Sequence, residues 1–528
     1  MWITTNNTGS TFQVKTRIQQ QLDEEKTKIT ERLEPFIGGT EPRVEGRPEL
    51  HGAGITYELA EKTRAITCGG IGVIHRLVQK VGLQKAIDKG LGILKRARPY
   101  QDSDHILNIA FNLLCGGRVL DDIEHRRNDA AFLDGLGARA IPDPTTAGDF
   151  CRRFDVAAIW RLMNIINSIR VKVWRLAGIG HGTARIDADG SIVETTGECK
   201  QGMDMSYKGI WGYHPLLISL ANTKEPLFIV NRSGNRPSHE GAPATIDKAI
   251  DLCLEGGFKD VLVRGDTDFS MTEHLDRWDD LGYVRFILGY DANPAFVDRA
   301  ENLDSGEYVE LCRKADEAFE NKKRRKKQPR VKEEIVRARG YLNKRLIRED
   351  VADFEHRPKA AKKPYRIVVL RKQIVEERGQ LTMGCHYRYF FYITNDRNLS
   401  CAKVVAEANE RCDQENIIEQ LKNGAPALTA PVNTLEANWA YMVMASLAWT
   451  LKAWSALLLP VDPQDSATQD SATQDSDRRT MLRMDFRTFL NNFILIPAQI
   501  VRTGRRTIFR LLAWRPRLDL LFRLLDAL

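Results

Sequence analysis

The chain has 528 residues, 43% of them hydrophobic and 28% charged, and its 78 Lys and Arg against 70 Asp and Glu give a net charge of +8 with histidine neutral. This composition indicates a globular protein of about three or four structural units, and it excludes collagen-like, intrinsically disordered and small disulfide-bonded classes. The nine cysteines are scattered singly without a C-x-x-C pair, which indicates reduced thiols and argues against a structural zinc site.

The first part of the chain is predicted to be an arm followed by a helical region. Residues 1–65 are poorly periodic and lack the apolar core of a signal peptide, so we interpret them as an N-terminal arm. Residues 66–180 place apolar residues at three- and four-residue spacing, which predicts a helical region, and we interpret it as DNA-binding because of the arginines in one of its segments. Within it, the segment PDPTTAGDFCRRF exposes Arg152 and Arg153, which fit either a DNA-reading element or a surface helix of a bundle.

The pattern changes to β-strands over residues 181–293. The runs TARIDADGS, YHPLLISLANTKEPLFIVNRS, VLVRGDTDF and YVRFILGYD are apolar, β-rich and bounded by turn residues, which predicts buried strands. We therefore expect the first part of a sheet domain here.

Carboxylates follow two of these strands. Asp187 and Asp189 occupy positions i and i+2, so both side chains project to the same side of their strand just before a turn. Asp266 comes directly after the apolar run VLV and Gly265, at the carboxyl end of its strand, where sites of such sheets commonly lie.

Positive charge is concentrated between Lys322 and Lys372, where 20 basic residues oppose six acidic ones, a local net of +14, so the rest of the chain carries −6. The block opens with Lys322, Lys323, Arg324, Arg325, Lys326 and Lys327. Such a block attracts a polyanion by counterion release, and nucleic acid is the natural partner, with a solvated surface loop as the alternative. Because the block contains the strand YRIVVLRKQIV, residues 294–385 are predicted to form a basic, β-rich insertion domain.

Residues 386–460 are predicted to complete the sheet domain. They contain a strand at His386–Asn395, a helix at Val404–Asn423 and a second helix from about Asn433 to Leu459. Part of the second helix, Tyr441–Leu459, has the length of a membrane span but is interrupted by polar residues, so we interpret it as a buried core helix.

The C-terminal part follows a low-complexity segment. Residues 461–479 contain QDSATQDSATQDSD, a polar repeat that predicts a flexible linker. Residues 480–528 are rich in arginine interleaved with apolar residues, and we interpret them as amphipathic helices with an arginine face.

The helix predicted at Val404–Asn423 carries Arg411, Glu415 and Lys422 in one stripe, given about 100° of rotation per residue. Alone, this spacing is typical of an exposed salt-bridge pattern. Combined with the strand-end aspartates, it favours a site in which carboxylates converge. Such groups repel one another unless divalent cations neutralise them, so Mg²⁺ or Mn²⁺ is expected, with two ions for phosphodiester chemistry.

These motifs resemble the DDE transposases of bacterial insertion sequences that carry a tyrosine, arginine, glutamate and lysine signature. Arg411, Glu415 and Lys422 fit the signature R-x3-E-x6-K, and Ala408 stands at its tyrosine position. The first aspartate of the family is matched by Asp187 or Asp189 in RIDADGS, and the second by Asp266 in RGDTDF. The resemblance covers about residues 69–459.

The resemblance implies an α/β fold, an RNase H-like mixed sheet flanked by helices, with a β-rich insertion domain and helical N- and C-terminal regions. It implies metal ligation and catalysis by Asp187 or Asp189, Asp266 and Glu415, and phosphate binding by Arg411 and Lys422. The expected partners are double-stranded DNA, both terminal inverted repeats and target, and a second copy of the chain in a homodimer, with no membrane.

The expected function is a DNA transposase that cleaves DNA and joins the 3′ ends to target DNA, acting in the cytoplasm at the nucleoid. A catalytically inactive DNA-binding relative and a metal-dependent nuclease without strand transfer are the alternatives. Serine hydrolase and P-loop nucleotide-binding classes are excluded because the chain has neither G-x-S-x-G nor G-x4-G-K-[ST].

Overall fold

The structure is a computed structural model that describes residues 8–33, 55–58, 60, 63–95, 99–311, 338–339, 342–378, 381–460, 476–504 and 506–528. Most of the predicted linker, residues 461–475, and the basic run that opens the charged block lie outside the described residues. The chain divides into two compact units, one made of Met1–Ile169, Asn423–Ala427 and Val443–Leu528, and the other of Arg170–Lys422 and Leu428–Met442.

The described chain is mainly helical up to Leu176, has a run of strands from Thr183 to Val230, and contains a mixture of both after that. The helices of the described residues are α1 (Thr8–Leu33), α2 (Ile71–Val81), α3 (Leu83–Gly90), α4 (Asp102–Leu114), α5 (Ile123–Arg127), α6 (Ala130–Leu136), α7 (Pro144–Cys151), α8 (Val156–Leu176), α9 (Ala242–Glu255), α10 (Leu275–Asp280), α11 (Pro294–Glu301), α12 (Cys401–Asn409), α13 (Cys412–Glu419), α14 (Leu435–Leu457), α15 (Ser476–Arg483), α16 (Phe486–Phe489) and α17 (Leu518–Ala527). The strands are β1 (Ala65–Ile66), β2 (Thr183–Gly190), β3 (Val193–Glu194), β4 (Asp204–Met205), β5 (Trp211–Tyr213), β6 (Leu216–Leu220), β7 (Glu225–Val230), β8 (Asp260–Gly265), β9 (Val284–Tyr290), β10 (Val309–Glu310), β11 (Leu342–His356), β12 (Tyr365–Arg378), β13 (Leu381–Thr394), β14 (Ala498–Thr503) and β15 (Arg506–Leu511).

The second unit is built on a large mixed sheet, as the sequence predicted. Its strand order is β10-β11-β12-β13-β9-β8-β2-β6-β7. Strand β2 pairs in parallel with β8 and antiparallel with β6, and β8 pairs in parallel with β9. The apolar runs of these strands are buried, which is expected of strands covered on both faces. The sheet therefore brings the carboxyl ends of β2 and β8 side by side.

The strands of the basic segment continue this sheet. β11, β12 and β13 are long antiparallel neighbours, and β13 pairs with β9 from Phe391 opposite Tyr290 to Thr394 opposite Ile287. The predicted boundary between residues 385 and 386 falls inside β13, so that placement of the boundary is corrected here. The physical reason is that β13 pairs with β12 on both sides of this position, with one register shift between Glu376 and Glu377, which charge counting along the sequence does not detect.

The predicted helix Val404–Asn423 is interrupted. α12 ends at Asn409, α13 begins at Cys412, and Gln420–Gly424 adopts a π-helical turn. The assumption of one continuous helix, from which the single stripe of side chains was predicted, is therefore wrong. The break places Arg411 at the N-terminal boundary of α13.

The first unit is helical except near its C-terminus, where the prediction of helices alone is wrong. β14 and β15 form an antiparallel hairpin with a turn at Gly504, and β1 adds a third strand beside β14. Five of the twelve residues in β14 and β15 are β-branched, and such residues pack well in strands. Arg502, Arg506 and Arg510, which were interpreted as part of a helix face, lie on these strands instead.

The predicted core helix is confirmed as α14, which is buried along most of its length. Among the helices of the described residues, none combines the length and apolar character needed to cross a membrane.

Arg152 and Arg153 lie on the surface just after α7. The Arg152 guanidinium donates a hydrogen bond to the Asp149 carboxylate at 2.6 Å.

Lys452 is a buried cation of the first unit. Its Nζ donates a hydrogen bond to the carbonyl oxygen of Leu482 at 2.9 Å and lies 3.9 Å from the centroid of the Trp449 ring. Burial disfavours the charged form and lowers the pKa of Lys452 to about 7, although the carboxylate of Asp485 opposes the shift.

We expect Lys452 to make stability depend on pH. An unfolded lysine, with a pKa of about 10.4, binds a proton that the folded chain has released. The free energy of unfolding should therefore rise with pH between about 7 and 10, by up to about 1.4 kcal/mol per pH unit. Lys452→Met should remove this contribution. Urea-unfolding midpoints of both proteins across this range measure the difference, and parallel curves would contradict the assignment.

Candidate active site

Two aspartates meet at the carboxyl ends of neighbouring parallel strands. In the register of β2 and β8, Asp187 lies opposite Arg264. Asp189 lies two residues after Asp187, and Asp266 lies two residues after Arg264. The Asp189 carboxylate accepts a hydrogen bond from the Gly190 amide at 2.8 Å. The Asp266 carboxylate accepts one from the Asp268 amide at 3.0 Å, which fixes it at the start of a short helical turn.

Arg411 joins these aspartates to Glu415. Its Nη1 lies 3.1 Å from Asp189 Oδ2, and its Nη2 lies 3.7 Å from Glu415 Oε1 and 4.0 Å from Asp266 Oδ2. Three carboxylates from β2, the end of β8 and α13 therefore surround one guanidinium. The break before α13 does not separate Arg411 from Glu415, because both belong to the same helical turn.

Burial makes the charged forms of Asp189 and Asp266 less favourable. Burial and the neighbouring Asp266 carboxylate raise the pKa of Asp189 to about 6, although Arg411 opposes the shift. Burial also raises the pKa of Asp266, with further contributions from Asp268 and Glu415. One guanidinium thus compensates the three acidic groups only in part, which favours binding of additional positive charge.

Asp187 lies apart from the cluster. It is completely buried, and Arg264 Nε and Nη2 donate to its two oxygens at 2.6 and 2.9 Å. Arg264 Nη1 also donates to the Glu407 backbone oxygen at 3.0 Å, and Arg185 donates twice to the Glu407 carboxylate, at 2.9 and 2.7 Å. Asp187 therefore belongs to a buried ionic network that ties α12 to β2 and β8.

Lys422 lies beside the cluster and not within it. Its Nζ donates to the carbonyl oxygen of Ile192 at 2.6 Å. Burial and the positive charge of Lys208 lower the pKa of Lys422, while Asp189 opposes the shift. The other predicted DNA-binding residues lie outside the described part of the chain: Lys322, Lys323, Arg324, Arg325, Lys326 and Lys327.

An open cleft of about 630 Å³ leads to the carboxylates. Asp266, Arg411 and Glu415 line one side of it, and residues 388–392 of β13 line another. The sheet extension therefore contributes Arg388 and aromatic side chains to the same cleft, which sequence reasoning missed.

The network residues Arg264, Glu407 and Arg185 were also missed. One signal was available for Arg264, because a charged residue within the apolar run VLVRG must be paired if it is buried. The partners of Arg264 could not be named from the sequence, since they lie on separate elements.

Gly289 on β9 leaves room for the loop that carries Asp266. A Cβ at this position would lie 2.7 Å from the Thr267 nitrogen and 2.9 Å from the Asp266 carbonyl carbon. We expect Gly289→Ala to shift Asp266 and to lower DNA cleavage by about a hundredfold, since small displacements of reacting groups are costly. Gly306→Ala is the matched control, because nothing lies within 4 Å of its Cβ. Equal cleavage rates for the two variants, measured on one labelled DNA, would contradict the role of Gly289.

The sequence profile described as transposase DDE domain, group 1, matches residues 63–528. The chain belongs to this family. None of the curated protein sequences matches it. Among solved structures, the chain is similar to the cryo-EM structure of the piggyBac transposase synaptic complex with hairpin DNA, with a TM-score of 0.33 and 9% identity over 81% of this chain and 82% of that one.

The donor chemistry of the cluster fits the divalent metals that DDE transposases generally use. Carboxylate oxygens are the ligands that Mg²⁺ and Mn²⁺ prefer, and burial, the largest cause, together with neighbouring carboxylates raises the pKa of Asp189 and of Asp266. Within the described residues, no group of three or more His, Cys, Asp or Glu side chains is already arranged around a metal position. Arg411 occupies the space between the carboxylates instead.

Proposed function

We propose that the protein is a DNA transposase that binds the terminal inverted repeats of its element, cleaves the DNA and joins the 3′ ends to target DNA. The observation that carries this proposal is the convergence of Asp189, Asp266 and Glu415 on Arg411. The family membership of the chain supports the same class of reaction.

The strand order around the cluster supports an RNase H-like core. β7, β6 and β2 are successive antiparallel neighbours, and β8 and β9 continue the sheet in parallel with β2. We propose that these strands, with the helices between them, form that core, and that β10–β13 are its insertion.

Asp189, Asp266 and Glu415 are proposed to hold two Mg²⁺ or Mn²⁺ ions. When bound, the ions would activate the attacking oxygen and stabilise the leaving oxygen of an in-line phosphodiester displacement. Asp187 is proposed to position the strands through Arg264, because all its oxygens are used in that ion pair. We therefore propose Asp189, and not Asp187, as the first ligand.

Arg411 and Lys422 are proposed to bind DNA phosphates near the scissile bond. The planar guanidinium of Arg411 can donate to two phosphate oxygens once the carboxylates have other cations to bind. Arg388 lines the same cleft and supplies a further positive charge. The block from Lys322 to Lys372, with a net charge of +14, is proposed to bind the flanking duplex.

Joining two element ends to one target requires that both ends be held together, so we propose that the active form is a homodimer. The proposed site of action is the bacterial nucleoid. We expect the affinity of this assembly for DNA to fall strongly as the salt concentration rises, because many phosphates are contacted.

Analysis of reaction products tests the proposal against its alternatives. The purified protein is incubated with Mg²⁺ or Mn²⁺, labelled DNA carrying the ends of its element and a target plasmid. Joined strands support the transposase, and hydrolysed ends without joining support a metal-dependent nuclease. DNA binding without any cleavage under either metal would favour the inactive relative.

A further inference from the structure

The tight turn between β4 and β5 presents large apolar side chains to solvent. Tyr207 is 78% exposed, Trp211 50% and Met205 40%. Met205 and Trp211 are cross-strand partners, so their side chains lie on the same face of the hairpin. We call residues Met205–Trp211 the hairpin tip.

The hairpin tip is exposed although its base is firmly packed. The Tyr213 side chain is buried, and its hydroxyl donates to the carbonyl oxygen of Gln201 at 2.7 Å. The turn is closed by hydrogen bonds from the Ser206 amide to Ile210 oxygen and from the Gly209 amide to Ser206 oxygen, both at 2.9 Å. A well-formed hairpin that exposes a tryptophan indicates a contact surface.

The two faces of the hairpin differ in charge. Glu194 and Asp204 both lie opposite Gly212 in the register, one position from Trp211. Since side chains alternate between faces along a strand, these carboxylates point away from the face that carries Trp211. On the tip itself, the Lys208 Nζ lies 5.3 Å from the centroid of the Tyr207 ring. The exposed surface thus combines aromatic rings with a cation.

Short stretches of chain and hydrogen bonds connect the hairpin to the neighbourhood of the carboxylate cluster. Lys422 Nζ binds the oxygen of Ile192, the residue before β3, and the Lys208 charge acts on Lys422. The Thr195 amide donates to the Trp211 oxygen at 3.1 Å. Thr195 is six residues from Asp189. The two residues therefore lie at most about 20 Å apart, even in a fully extended chain. This distance corresponds to about six nucleotides at the rise of duplex DNA.

We propose that the hairpin tip is a stacking surface for unpaired nucleobases of the DNA strand next to the cleavage position. Aromatic rings bind bases of any sequence by stacking, and lysines hold the neighbouring phosphates. The inference rests on the proposed function, because it requires that the carboxylate cluster acts on DNA. A second copy of the chain is the competing occupant of an exposed apolar surface.

The test uses the full-length protein and a fluorescein-labelled oligothymidylate of about 20 nucleotides, with fluorescence anisotropy as the readout. Trp211→Ala and Tyr207→Ala should each weaken binding about tenfold, because stacking on one ring contributes about 1–3 kcal/mol. Tyr57→Ala is the matched control, since Tyr57 is 95% exposed and far from the hairpin in sequence. Photocrosslinking with 5-iodouracil in the oligonucleotide should label a peptide containing the hairpin tip, and Trp211→Phe should retain most of the affinity.

Unchanged affinity in both alanine variants, or crosslinks only elsewhere, would overturn the inference. A change of oligomeric state by light scattering with unchanged DNA affinity would overturn it in favour of a second copy. If the wild type binds the oligonucleotide through the tip but never cuts its element's ends, the proposed function fails while the inference stands. If it cuts while the hairpin variants bind normally, the inference alone fails.

Discussion

Asp189→Asn is expected to lower DNA cleavage by at least about a thousandfold while the protein stays folded. A metal contributes several kcal/mol of transition-state stabilisation, and each 1.36 kcal/mol corresponds to about tenfold in rate. The fold should tolerate the change, because burial already disfavours the Asp189 charge. Single-turnover cleavage of labelled element ends measures the rate, and urea unfolding measures stability.

Asp187→Asn is the matched control, and its expected defect is of another kind. It leaves the fully buried Arg264 guanidinium without its bidentate carboxylate partner. Removing one partner of a buried ion pair costs about 3 kcal/mol or more, so a marked loss of stability is expected. If Asp187→Asn abolished cleavage without destabilising the protein, and Asp189→Asn cleaved normally, the proposed roles of the two aspartates would be reversed.

Glu225→Leu is expected to destabilise the second unit by about 3–5 kcal/mol. The Glu225 carboxylate accepts hydrogen bonds from Arg170 Nε at 2.9 Å and from Trp174 Nε1 at 2.8 Å, and Arg170 and Glu225 are both buried. Loss of the carboxylate leaves the Arg170 charge uncompensated in the core. Thermal and urea unfolding of the variant, followed by circular dichroism, measure the change.

The double variant Arg170→Met with Glu225→Leu tests the cause of that loss. Replacing both members of a buried ion pair by apolar residues is often neutral or stabilising. The double variant should therefore recover most of the stability that Glu225→Leu loses. If it is as unstable as the single variant, packing of the glutamate and not the buried charge accounts for the effect.

The large mixed sheet could be predicted because its strands are apolar runs bounded by turn residues. The positions of Asp189 and Asp266 at strand ends also followed from the sequence, as did the proximity of Arg411 and Glu415, four residues apart. These features depend on local periodicity, which the sequence records directly.

The separation of Asp187 from Asp189 could not be predicted. Both side chains project from the same side of β2, and only the register shows that β8 pairs with β2 as far as Asp187 and no further. Arg264 thus pairs with Asp187, and Asp189 pairs with Arg411 instead. Such partnerships depend on pairing between distant segments, about which periodicity carries no information.

The break in the helix at Arg411 and the hairpin of β14 and β15 were missed for a related reason. Helical spacing of apolar residues continues through both segments, but tertiary packing selects a different backbone. The contribution of β13 to the cleft was missed because its strand crosses the predicted boundary of the insertion.

The most direct test of the central claim compares Glu415→Gln with Glu419→Gln, an exposed carboxylate one turn further along the same helix. Both variants keep the side-chain size and remove one charge. DNA binding, cleavage and strand transfer are measured with Mg²⁺ on DNA carrying the element's ends. The account predicts that Glu415→Gln binds the ends but neither cuts nor joins them, and that Glu419→Gln does all three. Cleavage and joining by Glu415→Gln at the wild-type rate would contradict it.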